Sequence, residues 1–403
     1  MRGRQLTFLR SFFALLALAT VNAGGCARET QMVKWEADFY YTEQLYVDGQ
    51  YQLAVERYRA LRKSAKFEQD ADEAALMDCE VQARAKDYGA AATCYDVLAT
   101  MAFDPQVRVR GLLHAGELRY YELDKKVQAL KLFSQTIDRF PNATASLRVL
   151  DHLYLHAKNA PNDRSGMLTL FERLEKANPL SEIADNLLLR SAMLLELDNT
   201  KTSLARAVQL LEKHDKLHRD EATLLDALMT RARCLKELAR FKEEAEVLEQ
   251  VVATYETSYI FASYAGEDHK VATRRLIDLY RKGPLKNLER AEAHARHLPA
   301  MLHHPLDLPQ MMIVIAEIQE ERGDNGGAIA TCRGLMATVK ARQKRMIQED
   351  QRICSESGSA QEQANCRSEI DKFVPIDPRQ VAEAEAMIAR LQAKTQVKTG
   401  SSR

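Results

Sequence analysis

The sequence predicts an all-α protein, an α-solenoid of about eight helical hairpins with a short C-terminal helical extension. Three observations carry that prediction. Glycine and proline are few (16 and 10 of 403 residues), and aromatic residues make up only 7%. Sandwiches and barrels need more turn residues and more aromatic and β-branched strand residues than this. A chain of this length outgrows one compact core, so it divides into domains or extends as a repeat array. A small residue recurs about every 38 positions, which selects the array.

The N-terminal element is read as an export signal. Arg2, Arg4 and Arg10 precede Ser11 to Val21, an uncharged and mostly apolar run of eleven residues. A bilayer-spanning helix needs about 20 apolar residues, so residues 1–25 read as a signal peptide and not a membrane span. Ala23-Gly24-Gly25-Cys26 resembles the lipobox of bacterial lipoproteins, with Ala23 where that family usually has Leu. The resemblance implies acylation of Cys26, with palmitate among its lipids, and a tether over residues 26–34. Ala27 following the Cys implies sorting to the outer membrane, facing the periplasm. Val21-Asn22-Ala23 also fits ordinary cleavage after Ala23, which leaves a soluble periplasmic or secreted chain; both readings stay open. Loss of the three arginines takes 57 basic residues to 54 against 57 acidic, a mature charge of −3. A nucleic-acid binder needs a basic surplus, so that class is excluded.

The repeat runs over residues 35–345. Its small position is Ala54, Ala91, Ala129, Met167, Ala207, Ala245, Ala291 and Ala328, at steps of 37, 38, 38, 40, 38, 46 and 37. Four residues later stand Tyr58, Tyr95, Phe133, Phe171, Leu211, Glu249, Ala295 and Cys332, large and apolar in five of the eight. Pro141 and Pro179 follow the small position by twelve residues, and Gly49 and Gly323 precede it by five. Two antiparallel helices approach closely only where a small side chain lets them, and a bulky residue one turn on fills the groove beside it. This pattern resembles the tetratricopeptide repeat (TPR) family. The clearest copy holds Tyr120, Ala129, Phe133 and Pro141 at family positions; Glu249 departs from it. The resemblance implies a stack of hairpins with a concave, non-catalytic face that binds other proteins or peptides.

The remaining elements are C-terminal helices over 346–394, with a polar loop between Cys354 and Cys366, and a polar, disordered tail over 395–403. In an oxidising compartment the six cysteines beyond Cys26 make disulfides plausible. Cys354–Cys366 would close the loop. Cys79 and Cys94 lie on opposite arms of one hairpin and could pair or pack as thiols. Cys234 and Cys332 read as buried core residues.

Catalytic signals are scarce. His152/His156 and His214/His218 have the i, i+4 spacing of a helical metal pair, but neither is HExxH. His294, His297, His303 and His304 cluster in sequence and are the strongest candidates for a metal-dependent enzyme. GxGxxG, GxxxxGK[ST] and GxSxG are absent. No metal and no cofactor is therefore assigned. Phe39-Tyr40-Tyr41 and Tyr120-Tyr121 either pack between repeats or line a groove. The reading that results is a lipid-anchored TPR-like scaffold for envelope proteins, serving outer-membrane assembly, cell-wall coordination, or a motility or secretion machine. The alternatives are a soluble periplasmic binding protein and a metal-dependent enzyme built on His294 to His304.

Overall fold

A computed structural model describes residues 27–217, 221–257, 266–301, 308–356 and 378–400, and within each compact unit successive helices pack on one another. The chain divides into two compact units, residues 1–197 and 198–403. The first holds α1 (Ala27–Val47), α2 (Tyr51–Ser64), α3 (Glu68–Arg84), α4 (Tyr88–Met101), α5 (Pro105–Tyr121), α6 (Lys126–Arg139), α7 (Thr144–Asn159), α8 (Arg164–Ala177) and α9 (Ala184–Asp198). The second holds α10 (Lys201–Leu217), α11 (Glu221–Glu237), α12 (Phe241–Thr257), α13 (Gly266–Arg281), α14 (Leu288–Met301), α15 (Leu308–Glu321), α16 (Asn325–Glu356) and α17 (Pro378–Gly400). Among the described residues there is no strand, and no helix is long and apolar enough to cross a membrane.

Local chemistry sets the helix starts. Asp87 accepts from the Ala90 amide to cap α4. Asp104 accepts from the Gln106 amide, with Pro105 at the first helical position of α5. Both choices satisfy or remove amides that a helix N-terminus leaves unpaired. The turns inside the hairpins need a left-handed residue. Gly49 and Gly323 supply it, but Lys86, Asp124, Asn199, Ala239 and Lys286 also adopt positive φ. The turn therefore recurs where its glycine does not, which is why glycine marks only two copies in the sequence.

All eight small-position residues are buried, as are Tyr58, Tyr95, Phe133, Phe171, Leu211, Ala295 and Cys332. Tyr120 and Pro141 are half-buried. Hydrogen-bond register corrects two equivalences. The amides of Ala54, Ala91, Ala129, Ala291 and Ala328 each bond to the carbonyl of the residue that opens their helix, and Leu204 and Glu244 hold that place in α10 and α12. Ala207 thus lies one turn deeper than expected, and Ala245 one residue later. Glu244 is buried and its carboxylate takes Arg275 of α13, so a charged pair fills a slot that a small residue was expected to hold. Leu248 then occupies the large apolar position, which explains the apparent departure at Glu249.

Three boundaries also differ from expectation. Helix α1 begins at Ala27, so most of residues 26–34 is helical instead of an extended tether. Helix α16 runs unbroken across the 345/346 boundary, and α17 continues to Gly400, through most of the expected tail. Helix α17 packs on α15 and α16 through Ala384, Met387 and Leu391, and covers the end of that hairpin's core. The signal segment, Cys26 and the proposed Cys354–Cys366 disulfide lie outside the described residues.

Candidate functional site

The first helices of successive hairpins, α3, α5 and α7, together with Tyr95 of α4, line an open cavity of about 330 Å³ in the first unit. Tyr95, His114, Glu117, Tyr121, Arg148 and His152 form its polar and aromatic wall. On α5, His114, Glu117 and Tyr121 fall at i, i+3 and i+7, which places them on one helical face. Arg148 and His152 stand four apart on α7 and meet that face.

Glu117 is the hub. One oxygen takes His152 Nε2 at 2.9 Å and Arg148 at 2.6 Å; the other takes His114 Nδ1 at 3.0 Å. Burial pushes its carboxyl upward, but the hydrogen bonds from His114 and His152, with the charges of His114 and Arg148, outweigh it and hold the group at about 2. An ionised Glu117 can only accept, so His152 carries its proton on Nε2. Nδ1 of His152 then faces the Tyr121 hydroxyl at 2.9 Å. A second relay runs beside the first: Tyr120 hydroxyl to His156 Nδ1 at 3.0 Å, and His156 Nε2 to Asp163 at 3.1 Å. His152 stacks on Phe133, ring centroids 5.2 Å apart, and His114 lies 5.2 Å from the Tyr95 ring. The two relays fix the donor and acceptor roles of the groove wall. They also tie α5 to α7, and the 56% exposed Tyr121 ring stays available to a ligand.

Two close approaches make the groove possible. A side chain at Gly111 would stand 2.7 Å from the Ala99 amide nitrogen, and one at Gly116 would stand 2.4 Å from the Phe133 ring. Behind the groove, Cys79 of α3 and Cys94 of α4 form a disulfide with Cα atoms 5.4 Å apart, which resolves the open choice for that pair. Cys94 and the Arg59–Asp78 pair line a second cavity of about 450 Å³.

The other histidine candidates are dispersed. His214 is buried and bonds Thr223 through Nε2 at 3.0 Å; His218 lies outside the described residues. His294 stacks on Tyr280 with centroids 5.9 Å apart and lies 3.6 Å from Glu249. Burial pushes its pKa down against the pull of Glu249. Glu249 also accepts from the Tyr280 hydroxyl at 2.8 Å and pairs with Arg290. His297 is exposed, and His303 and His304 lie outside the described residues. Among the described residues, no group of three or more His, Cys, Asp or Glu is placed to hold a metal ion. Cys234 and Cys332 are buried.

Sequence reasoning singled out Tyr120-Tyr121 and His152/His156 separately and missed Glu117, His114 and Arg148. The available signal was the pairing of two adjacent tyrosines with two histidines one repeat later.

No protein-family model matches this chain, and no curated protein matches it in sequence. Three solved structures illustrate what it is similar to. A chain of Naa15/Naa10 bound to HypK-THB is 14% identical with a TM-score of 0.28, over 82% of this chain and 58% of that one. This protein thus spans 58% of the length of that relative. The TPR domain of P58(IPK) is 13% identical with a TM-score of 0.22, over 84% and 98%. A circular tandem repeat protein with novel repeat topology is 14% identical with a TM-score of 0.24, over 98% and 99%. Likenesses at these scores carry no argument, and the all-α, hairpin-by-hairpin architecture rests on the helices of the chain itself.

Proposed function

We propose that this protein is an exported, lipid-anchored, TPR-like scaffold that binds protein segments of the cell envelope along the α3–α5–α7 groove. The observation that carries this reading is the groove: an open cavity whose exposed Tyr121 and Arg148 stand on a wall held rigid by Glu117, His114 and His152. Rigid aromatic and arginine side chains are the usual anchors of protein recognition, because they offer large contact area at low entropic cost. The Cys79–Cys94 disulfide supports export, since such bonds persist in oxidising compartments. Anchoring rests on the Ala23-Gly24-Gly25-Cys26 pattern. Outer-membrane assembly, cell-wall coordination and a motility or secretion machine are the processes that such a scaffold serves.

A photo-crosslinking residue at position 121, followed by mass spectrometry of the captured partners, tests the groove. Capture of defined envelope proteins from position 121, lost on Arg148→Ala, is the expected result. Equal capture from an exposed control position such as Lys201 would refute recognition at the groove. Cys26→Ser tests the anchor separately: unchanged membrane association would favour the soluble periplasmic reading with cleavage after Ala23.

A further inference from the structure

Cys79 and Cys94 are joined, but their two sulfurs sit in different surroundings. Cys79 is fully buried in an apolar cluster with Ala75, Leu76, Leu98 and Ala115, whereas Cys94 is half-buried at its edge. Cys94 also lines the open cavity of about 450 Å³, and Cys79 is not among its lining residues. Three helices make that cavity. On α4, Ala90, Cys94 and Val97 fall at i, i+4 and i+7 and present one helical face to it. Asp78 and Gln82 come from α3, and Arg59 and Arg62 from α2. A side-chain carbon added at Gly89, which also lines the cavity, would meet nothing within 4 Å, so the approach over the start of α4 is open.

The charged lining consists of two guanidiniums and one carboxylate, a net charge of +1. Asp78 is already engaged, taking Arg59 at 3.1 Å and Gln82 at 2.7 Å, while Arg62 is exposed at the rim. A pocket of this sign attracts an anion. The species that attacks a disulfide is itself an anion, the thiolate, and the sulfur it attacks is chosen in part by access.

We infer that Cys94 is a site of reversible S-thiolation, reached through this cavity by small thiols that carry carboxylates. The incoming thiolate attacks Cys94 Sγ and forms a new S–S bond there. The Cys79–Cys94 bond breaks with its electron pair on Cys79 Sγ, which takes up, through water, the proton that the incoming thiol gave away. One disulfide is exchanged for another, so no further oxidant or reductant enters. Apolar surroundings disfavour a thiolate, which holds the released Cys79 as a thiol. With Cα atoms only 5.4 Å apart, Cys79 can expel the adduct and restore the original bond once the small thiol is removed. This site lies apart from the α3–α5–α7 groove and does not depend on what that groove binds.

The test uses the mature full-length chain, with adducts located by peptide mass spectrometry after acid quenching. Cys79→Ser and Cys94→Ser each leave one thiol of the pair, and oxidised glutathione is the probe. Cys94 in the first variant is expected to take up glutathione at least about tenfold faster than Cys79 in the second. In urea the two rates are expected to converge, which assigns the difference to the fold. Arg62→Glu, added to Cys79→Ser, is expected to slow the glutathione reaction at least about threefold at low salt and to leave the reaction with cationic cystamine no slower. In the parent chain, reduced glutathione is expected on Cys94, with the new thiol on Cys79. Circular dichroism checks that each variant keeps its helices. Equal rates for the two folded variants, or glutathione on Cys79 of the parent, overturn the inference. An Arg62→Glu variant that reacts with glutathione as fast as its own parent overturns the cavity as the route.

Discussion

Glu117 shows how one side chain organises the groove. Its carboxylate gathers His114, Arg148 and His152 from two helices, and those partners hold its pKa at about 2 instead of an ordinary 4.5. A depressed folded-state value means that the stabilisation is complete above about pH 4.5 and is lost as the pH falls through about 2. The shift corresponds to about 3 kcal/mol. Urea unfolding as a function of pH is expected to show Glu117→Gln less stable than the parent at neutral pH by about that amount, with the difference vanishing near pH 2. A constant difference across the range would mean that the carboxylate charge is not what holds the partners.

Among the elements, α5 is approached closely on two faces. Gly111 admits the backbone of α4 and Gly116 admits the Phe133 ring, so two faces of one helix each depend on a missing side chain. Alanine normally stabilises a helix interior by about 1 kcal/mol over glycine. Gly111→Ala is expected to reverse that sign and destabilise by about 1–3 kcal/mol, because its new carbon meets backbone atoms that cannot move aside. Gly166→Ala in α8 meets nothing within 4 Å and is expected to be neutral or stabilising. Chemical denaturation of the two variants separates the packing term from the propensity term. If Gly111→Ala proved as benign as Gly166→Ala, the close α4–α5 approach would be refuted.

At the scale of the molecule, each compact unit carries a local constraint of its own. The first carries the Cys79–Cys94 bond across 15 residues, worth about 3 kcal/mol in the chain-entropy model, while α17 covers the last hairpin of the second. In a repeat array each hairpin depends on its immediate neighbours, so a local constraint stabilises locally. Hydrogen exchange is expected to show faster exchange in α3 and α4 of a Cys79→Ala/Cys94→Ala variant, with α13 to α16 unchanged. Uniform loss of protection along the chain would instead identify a single cooperative unit.

Much of this organisation was legible in the residues themselves. The alternation of small and bulky positions at Ala54/Tyr58, Ala91/Tyr95 and Ala129/Phe133 is a local requirement of close helix pairing, so periodicity alone identified the hairpins. What the linear pattern misread, it misread where geometry could be satisfied by other chemistry. Lys86 and Ala239 adopt the left-handed turn without glycine, and Glu244 with Arg275 replaces a small residue by a buried ion pair. In the same register Leu204 stands in place of Ala207, and Glu244 in place of Ala245. The groove was less legible still, because Glu117 and His152 are 35 residues apart and neither belongs to a motif. The sequence by itself determined that helices pair and in what order. Only the tertiary structure decided which side chains of successive hairpins meet, because that depends on the rotation of each helix about its axis, and one residue of register turns a helical side chain by about 100°.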